Sequence, residues 1–465
     1  MSHSDGAHPA GTPGTPTGIA DLRPLARARE QKAWYWYDWA NSAYVTTVGT
    51  VLFAPYIIAI AKEAAVDNRV SLLGISVAPG SLPSYLVTVS TIISAIVLPL
   101  MGPVADRTAD KKRLLAAFAW LGALSGSLIF FATGSNWQIG ALGFFLANIF
   151  LGASLVVNDS ILPLISDEDD RDRVSSRGWA WGYLGGGLLL AVNLAVVTLH
   201  DTFGLSEGDA ARLSMLSACL WWAAFTFIPF LRLQDHEPVP LAEADGGGGG
   251  IFAQSFGQLG KTLRELPRYP VALNFLLAYL FFNDGIQTVI ASASTYGSEE
   301  LEFGQSVLIG TILLVQFVAF GGALVFGRLA RRFGSKRTIL GGLVVWMLIV
   351  TAALFLPVKG LVPFLLLGVA IGVVLGGTQA LARSYFSLLI PRGKEAEYFS
   401  FYHAMDRGTS WFGTLVFGLV FQLTDSYRPA IFALIIFFVL GGLLLLRVDT
   451  ERGIRDAGNE VPAVI

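Results

Sequence analysis

Long apolar stretches alternate with short, polar and basic segments along most of this chain. A helix needs about 20 residues to cross the hydrocarbon core of a membrane. Runs of about that length form two sets of six, at 34–61, 84–104, 114–133, 138–164, 178–199 and 212–232, and at 270–296, 305–327, 338–358, 361–386, 399–423 and 429–447. The pattern therefore predicts an all-α integral membrane protein with twelve transmembrane helices in two pseudo-symmetric six-helix bundles.

The segments outside these runs predict two tails and a linker. Gly, Pro, Thr and Ser dominate the start of the chain, which is typical of a disordered tail. In the central polar segment, apolar residues at helical spacing follow a run of glycines. Lys261 and Arg264 lie between them, which indicates a short amphipathic helix on the membrane surface. The predicted parts are a tail 1–33, a bundle 34–232, a linker 233–268, a second bundle 269–448 and a tail 449–465.

The distribution of Lys and Arg predicts the orientation, because cytoplasmic loops are enriched in both. With the N-terminus inside, most of them fall in the tails and in the loops predicted to be cytoplasmic. The outer loops hold only Lys62, Arg69, Arg212, Lys359 and Arg428. We therefore expect both termini to be cytoplasmic, in a multi-pass protein of the cytoplasmic membrane, or of the vacuolar membrane in a eukaryote.

Composition restricts the possible function classes. Hydrophobic residues make up 54% of the 465 residues and charged residues 14%, against about 25% charged in soluble proteins. The net charge of −2 gives no reason to expect a nucleic-acid partner. The single cysteine, Cys219, excludes an intramolecular disulfide, and the five scattered histidines suggest no metal site. Neither a cofactor nor an enzymatic activity is predicted.

A basic loop motif recurs at equivalent places in the two sets of helices. The loop after the second run begins at Gly102 and contains Asp106 and Arg107. The loop after the eighth run begins at Gly327 and aligns with it, so that Lys111-Lys112 falls on Lys336-Arg337. This recurrence predicts two structurally related bundles, with a substrate site between them near the middle of the bilayer.

These features resemble the major facilitator superfamily, whose members are secondary transporters. Within it, Tyr37-Asp-Trp-Ala-Asn-Ser-Ala43 is similar to the signature that opens the first helix of the vacuole-effluxer-like permeases. Further stretches that resemble this family lie at 282–287, 376–384 and 392–402. The resemblance runs from about Trp34 to Phe421. It implies transport by alternating access, with amino-acid export from the vacuole as the family's best-known activity.

The chain departs from the superfamily pattern in two places. In the first loop motif, Ala109 replaces a usual glycine and Asp110 a usual basic residue. The fourth run, 138–164, lacks the arginine found in many proton-coupled relatives. The resemblance therefore implies that any proton coupling uses other groups.

Asp284 is the candidate proton carrier in the sequence. A carboxylate near the centre of a membrane helix costs about 2.5–3.5 kcal/mol on insertion scales. Asp284 lies about 21 Å into the seventh helix if that helix begins near Pro270. Asn283 and Gln287 beside it offer polar contacts to a substrate. Alternatively, Asp284 pairs permanently with a neighbouring helix and only holds the bundle together.

Two further groups of polar residues lie nearer the predicted inner boundary. Asp38 and Asn41 in the first run, with Asn158 and Asp159 in the fourth, are assigned to the substrate or proton pathway, and Asp38 and Asn41 are expected to line a gate at the inner mouth. Alternatively, Asp38 and Asp159 are ordinary polar groups of the inner mouth or caps on other helices. In the tenth run, Gln379 and Arg383 lie one turn apart on one face. Gln379 is the deeper substrate contact. Arg383 either meets a substrate carboxylate or an aspartate, or extends to water.

A cytoplasmic gate is predicted from the loop motif and the eleventh run. Gly102 permits close approach of the backbones, and Asp106 and Arg107 are expected to latch the two bundles in the outward-open state. Asp406 and Arg407, near the inner end of the eleventh run, are assigned to the same gate. The alternative is that the basic residues serve only membrane topology.

These observations predict a monomeric secondary transporter of a small polar solute, with an amino acid favoured by the resemblance. Proton coupling through Asp284 is a hypothesis, and membrane lipid is the other expected partner. Two alternatives remain open. The aromatic content of 12% would suit an exporter of amphipathic drugs or metabolites, and a non-transporting membrane sensor or scaffold would have the same fold.

Overall fold

Helices account for nearly all of the described part of the chain. The computed structural model describes residues 24–72, 74–108, 110–236, 260–262, 264–408 and 410–465. Within these ranges, eleven helices are long and apolar enough to cross a membrane. Two consecutive segments, Glu395–Gly408 and Ser410–Thr424, together supply a further crossing. The predicted all-α membrane architecture is confirmed, and the number of crossings agrees with twelve.

The first half contains helices α1 to α6. Helix α1 consists of Pro24–Tyr44, a π-helical stretch Val45–Leu52 and Phe53–Glu63. A hairpin follows, formed by antiparallel strands β1 (Val70–Leu72) and β2 (Ile75–Val77). The other helices are α2 (Leu82–Asp106), α3 (Lys111–Ser127), α4 (Trp137–Ile165), α5 (Arg171–Thr198) and α6 (Glu207–Arg232). Short 3-10 turns lie at Pro79–Ser81, Leu128–Phe131 and His200–Phe203.

The second half repeats this arrangement. Its helices are α7 (Pro270–Thr295), α8 (Gln305–Phe333), α9 (Ser335–Ala353), α10 (Leu361–Leu388), α11 (Glu395–Gly408 and Ser410–Thr424) and α12 (Tyr427–Ala433 and Ile435–Leu446). A 3-10 turn, Leu266–Arg268, precedes α7, and a π-helical turn, Tyr296–Glu300, follows it. Each half has its own hydrophobic core, with Trp222 buried in the first and Trp346 in the second.

Helix α1 begins ten residues before the predicted start at 34, so the predicted tail 1–33 is too long. The polar residues 24–33 gave no hydropathy signal, yet they form helix because their side chains have partners on the neighbouring segments. Arg27 forms an ion pair with Asp167, and Gln31 donates to the carbonyl of Ile165 at 2.8 Å. Most of the predicted linker helix, residues 251–259, lies outside the described residues.

The predicted C-terminal tail contains a further helix, α13 (Thr450–Asp456), which packs on the second half. The hydroxyls of Thr450 and Tyr385 are 2.7 Å apart, and Ile454 is fully buried. Beyond it, the backbone N–H of Ala463 donates to Asp169 of the first half at 2.8 Å. The segment therefore spans both halves.

The start of α1, the end of α4, the start of α5, the end of α10 and the start of α11 lie at one end of the bundle. We call this end the terminal face, because the described chain both begins and ends there. Most hydrogen bonds between the two halves lie between this face and the middle of the helices. Beyond them, the amide of Gln316 donates to Thr46 at 3.0 Å.

A candidate substrate cavity and its closed end

A cavity of about 840 Å³ lies between the two halves. Helices of both halves line it, and its walls are mainly apolar and aromatic, including Phe144, Trp179 and Phe364. The charged side chains among the described lining residues are few: Asp38, Asp159, Arg383, His403, Asp406 and Arg407. Asp38, Asp159, Arg383 and His403 form the end of the cavity that points towards the terminal face. The wider part extends towards the opposite face.

Arg383 closes that end of the cavity by joining the two halves. It comes from α10, yet all its partners belong to the first half. Its Nε donates to Ser175 Oγ at 2.9 Å, and its two terminal nitrogens contact Asp38 and Asp159 at 3.1 Å and the Ser175 carbonyl at 3.0 Å. A further contact of 3.4 Å reaches Asp38 Oδ1. All five N–H donors of the guanidinium are thus engaged, and only 3% of the residue is exposed.

Two tryptophans hold the Arg383 guanidinium in this position. Its central carbon lies 4.6 Å from the ring of Trp34 and 5.5 Å from that of Trp179, a geometry that permits cation–π attraction to both. Trp34 is itself fixed, because its indole N–H donates to the Asn158 carbonyl at 2.8 Å. Of the two sequence-based alternatives for Arg383, pairing with the aspartates therefore describes this structure, and extension to water does not.

His403 extends this ionic cluster to α11. Its Nε2 lies 2.9 Å from Asp159 Oδ2, so the Asp159 carboxylate connects Arg383 and His403. The Asn158 side chain donates to Asp38 at 3.4 Å and is fully buried behind the cavity wall. Sequence reasoning missed both His403 and Ser175. A histidine inside a membrane helix three residues before Asp406 was an available signal; Ser175 offered none.

A second polar network lies within the second half and connects α7, α10 and α11. The amide of Gln379 donates to Asn283 Oδ1 at 2.6 Å, and Asn283 in turn donates to Asp406 Oδ1. The hydroxyl of Tyr279 lies 3.4 Å from the same oxygen. Asp406 and Arg407 line the cavity. They lie one turn beyond His403 along α11, and their role in the cytoplasmic gate stays a prediction.

The predicted gate residues Gly102 and Asp106 lie where α2 meets the start of α11. The Asp106 carboxylate accepts the backbone N–H groups of Ala396 and Glu397 at 2.9 and 2.8 Å, and so caps a helix of the other half. Lys111 pairs with Asp106 at 3.1 Å. A Cβ at position 102 would lie 2.6 Å from the Cα of Glu397, so only glycine permits this packing.

Other groups join the halves at the same level. Asp172 at the start of α5 accepts from the hydroxyls of Ser335 and Ser384, both at 2.5 Å. Arg171 donates to the carbonyl of Ser387 at 2.9 Å. Arg107, the remaining predicted gate residue, follows the end of α2 and is half-buried. No sequence pattern indicated the role of Asp172, because its partners are hydroxyls on distant helices.

Asp284 is not among the described residues that line the cavity, contrary to its predicted place on the pathway. Its Oδ2 accepts the backbone N–H of Gly413 in α11 at 2.8 Å, and its Oδ1 lacks a partner among the described residues. Depth alone could not predict which side of α7 faces α11. The alternative, in which Asp284 joins neighbouring helices, agrees with this geometry. Gln287 does line the cavity, as does Asn41, whose amide donates to the Tyr37 carbonyl at 2.7 Å.

Comparison with known proteins defines the family. A family model described as "Vacuole effluxer Atg22 like" matches residues 26–458. The chain belongs to this family. The uncharacterized MFS-type transporter YxiO of Bacillus subtilis is 32% identical over 438 residues, which cover 93% of this chain and 98% of the relative. Autophagy-related protein 22-1 of Aspergillus niger is 27% identical over 471 residues, which cover 83% of this chain and 75% of the relative.

Solved structures confirm the fold of this Atg22-like chain. The proton:xylose symporter XylE has a TM-score of 0.66 at 11% identity, with 91% of this chain and 96% of that chain covered. A bacterial homologue of the iron transporter ferroportin, in an outward-facing state, has a TM-score of 0.64 at 13% identity, with 92% and 99% covered. The protein is therefore a multi-pass transporter of the major facilitator superfamily and not an enzyme.

Proposed function

We propose that this Atg22-like transporter moves a small polar solute, with an amino acid as the first candidate, across the cytoplasmic membrane. The cavity between the halves carries the proposal, because its acids and guanidiniums gather in one small region of otherwise apolar walls. A solute with an ammonium and a carboxylate group can exchange charge-assisted hydrogen bonds with both kinds of side chain. The description of the family as vacuole effluxers supports export.

The transport cycle is alternating access between two bundles. The basic loops lie at the terminal face, which we assign to the cytoplasmic side with both termini. The contacts of Arg383, Asp106 and Asp172 then hold the cytoplasmic side shut, and their separation opens it. One chain surrounds the whole cavity, which supports a monomer as the working unit.

Proton coupling is part of the proposal, and His403 with Asp159 is the better-placed site for it. The described lining residues include three carboxylates and two guanidiniums, so one negative charge among these groups remains uncompensated unless His403 or a carboxylate binds a proton. The imidazole and Asp159 are in contact at the closed end, where opening would change the surroundings of both. Asp284 remains a second candidate.

Transport by purified protein in liposomes tests the proposal. Uptake of a labelled mixture of the standard amino acids is measured against empty liposomes, with and without an imposed proton gradient. Uptake that depends on the protein supports amino-acid transport, and loss of its gradient dependence in His403→Gln places the coupling at that residue. Identical flux with and without the gradient in the wild-type protein refutes coupling.

An exporter of amphipathic molecules is the second candidate, and the cavity size favours it. A volume of about 840 Å³ lies within the range of about 300–1,000 Å³ found for pockets of drug-sized ligands. The same liposomes, loaded with a fluorescent amphipathic cation, distinguish the two candidates. Efflux of the dye with no amino-acid flux would favour the exporter.

A further inference from the structure

We propose that Arg407 is the group that binds the carboxylate of the transported solute, an inference that rests on the proposed function and specifies its substrate class. Two guanidiniums line the cavity, at positions 383 and 407. Arg383 has no N–H left for a solute, since all five donors already bind groups of the first half. Among the described lining residues, Arg407 is therefore the guanidinium that still has an N–H group for a solute.

The position of Arg407 suits this role. It projects from α11 in the second half and reaches α4 in the first, because a Cβ at Gly152 would lie 3.3 Å from its Nε. That Nε is buried and lacks a hydrogen-bond partner among the described residues. A buried N–H of a charged group that is left without an acceptor is destabilising, because it has lost its hydrogen bond to water. A carboxylate in the cavity would supply the acceptor.

The cavity that Arg407 lines contains further buried hydroxyls without hydrogen-bond partners among the described residues. Tyr44 and Thr288 line the same cavity, and in the described part of the chain neither hydroxyl has a hydrogen-bond partner. Tyr44 is close enough to interact electrostatically with Arg407. On the adjacent residue, the Oδ1 of Asp406 already accepts hydrogen bonds from Asn283 and Tyr279. The subsite thus offers donors, and it fits a small carboxylate better than a neutral or purely cationic solute.

Matched ligands test the inference on the full-length protein in detergent. Thermal melting is followed with L-leucine, L-phenylalanine and isovalerate, and with their carboxamides, which keep the shape and lose the charge. The apparent affinity is obtained from the concentration dependence of the melting temperature. We expect the acids to bind at least tenfold more tightly than the amides, which is about 1.4 kcal/mol.

Variants show whether Arg407 is responsible. In Arg407→Gln the preference for acids over amides should disappear, and in Arg407→Lys part of it should remain, because the charge is kept and the planar fork is lost. The control is Arg29→Gln, an exposed arginine outside the cavity, which should preserve the preference.

Each outcome distinguishes the subsite from the proposed function. If wild-type protein binds acids and amides equally, or responds to none of the six compounds, the carboxylate subsite is refuted without reference to any variant. If isovalerate binds in an Arg407-dependent manner and the amino acids do not, the subsite holds and amino-acid transport fails. A preference that survives in Arg407→Gln also refutes the inference.

Discussion

Replacement of Arg383 by glutamine should open the terminal face. The two ion pairs, both at 3.1 Å, are each worth about 5 kcal/mol at an effective dielectric constant of about 20, before desolvation is subtracted. Desolvation offsets much of this, and removal of one partner from a buried pair costs about 3–5 kcal/mol net. The cost falls on the closed state, because water solvates Asp38 and Asp159 once the halves separate. The open population should therefore rise by about 100-fold or more.

Cysteine labelling measures this change. Ser176 of α5 is 1% exposed, because it packs against Gly327 of α8. Its hydroxyl has no hydrogen-bond partner within the described ranges, so Ser176→Cys removes no hydrogen bond that the structure describes. In a Cys219→Ser background, the rate of maleimide labelling at position 176 reports separation of the two halves at the contact between α5 and α8. Arg383→Gln should accelerate labelling strongly, and Arg29→Gln should not.

The natural cysteine provides the folding control. Cys219 is fully buried in the first half and should remain unlabelled in any folded variant. The conclusion that Arg383 holds the halves together is refuted if two results occur together. Arg383→Gln with the natural Cys219 keeps that thiol protected, and the same substitution in the Ser176→Cys, Cys219→Ser protein labels at position 176 no faster than its parent.

Three further predictions concern single contacts. Asp106→Ala removes the acceptor for the N–H groups of Ala396 and Glu397, so it should weaken the closed state by about 1–2 kcal/mol. The rate of maleimide labelling at the buried position 400, in Ser400→Cys protein, should then increase. An equal increase in Asp110→Ala, in the same loop, would contradict this. Gly102→Ala should abolish the closed packing and slow transport, whereas Gly341→Ala, with open space around it and not among the described lining residues, should be neutral; normal transport in Gly102→Ala would show that α2 and α11 adjust. The hydrogen bond from Lys394 holds the pKa of Glu265 below its usual value, so this pair stabilises the protein above about pH 4.3 and less as pH falls through the lowered pKa. In thermal melts from pH 7 to 3, the difference in melting temperature between wild type and Lys394→Gln should therefore vanish at low pH. A difference that stays constant would disprove the pairing.

Hydropathy was sufficient to predict the helices and their grouping, because the bilayer imposes a length and a composition on every crossing. The start of α1 was beyond this signal, since residues 24–33 are polar and become helical through contacts with α4.

The sequence predicted which polar residues form the site better than it predicted how they are arranged. Buried charges in membrane helices indicated function, and Asp38, Asp159 and Arg383 indeed meet. Rotation of a helix about its axis decides which of its polar residues face the cavity, and the sequence of α7 alone did not determine it. Asp284 was therefore expected on the pathway and contacts α11 instead. The roles of His403 and Asp172 depend on partners more than 160 residues away, which no local pattern reveals.

The complete saturation of the Arg383 guanidinium has a consequence for energy coupling. When the two bundles separate, Arg383 moves with the second bundle, and Asp38 and Asp159 stay with the first. In a transporter without bound solute, water must then solvate all three charges before the conformational change can be completed. A zwitterionic solute bound between the bundles would supply new partners to Arg383 and to the two aspartates, and would lower the free-energy barrier to this change. The empty transporter would then change conformation slowly and the solute-bound transporter rapidly. If transport is proton-coupled as proposed, the slow step in the empty transporter would suppress the uncoupled leak of protons.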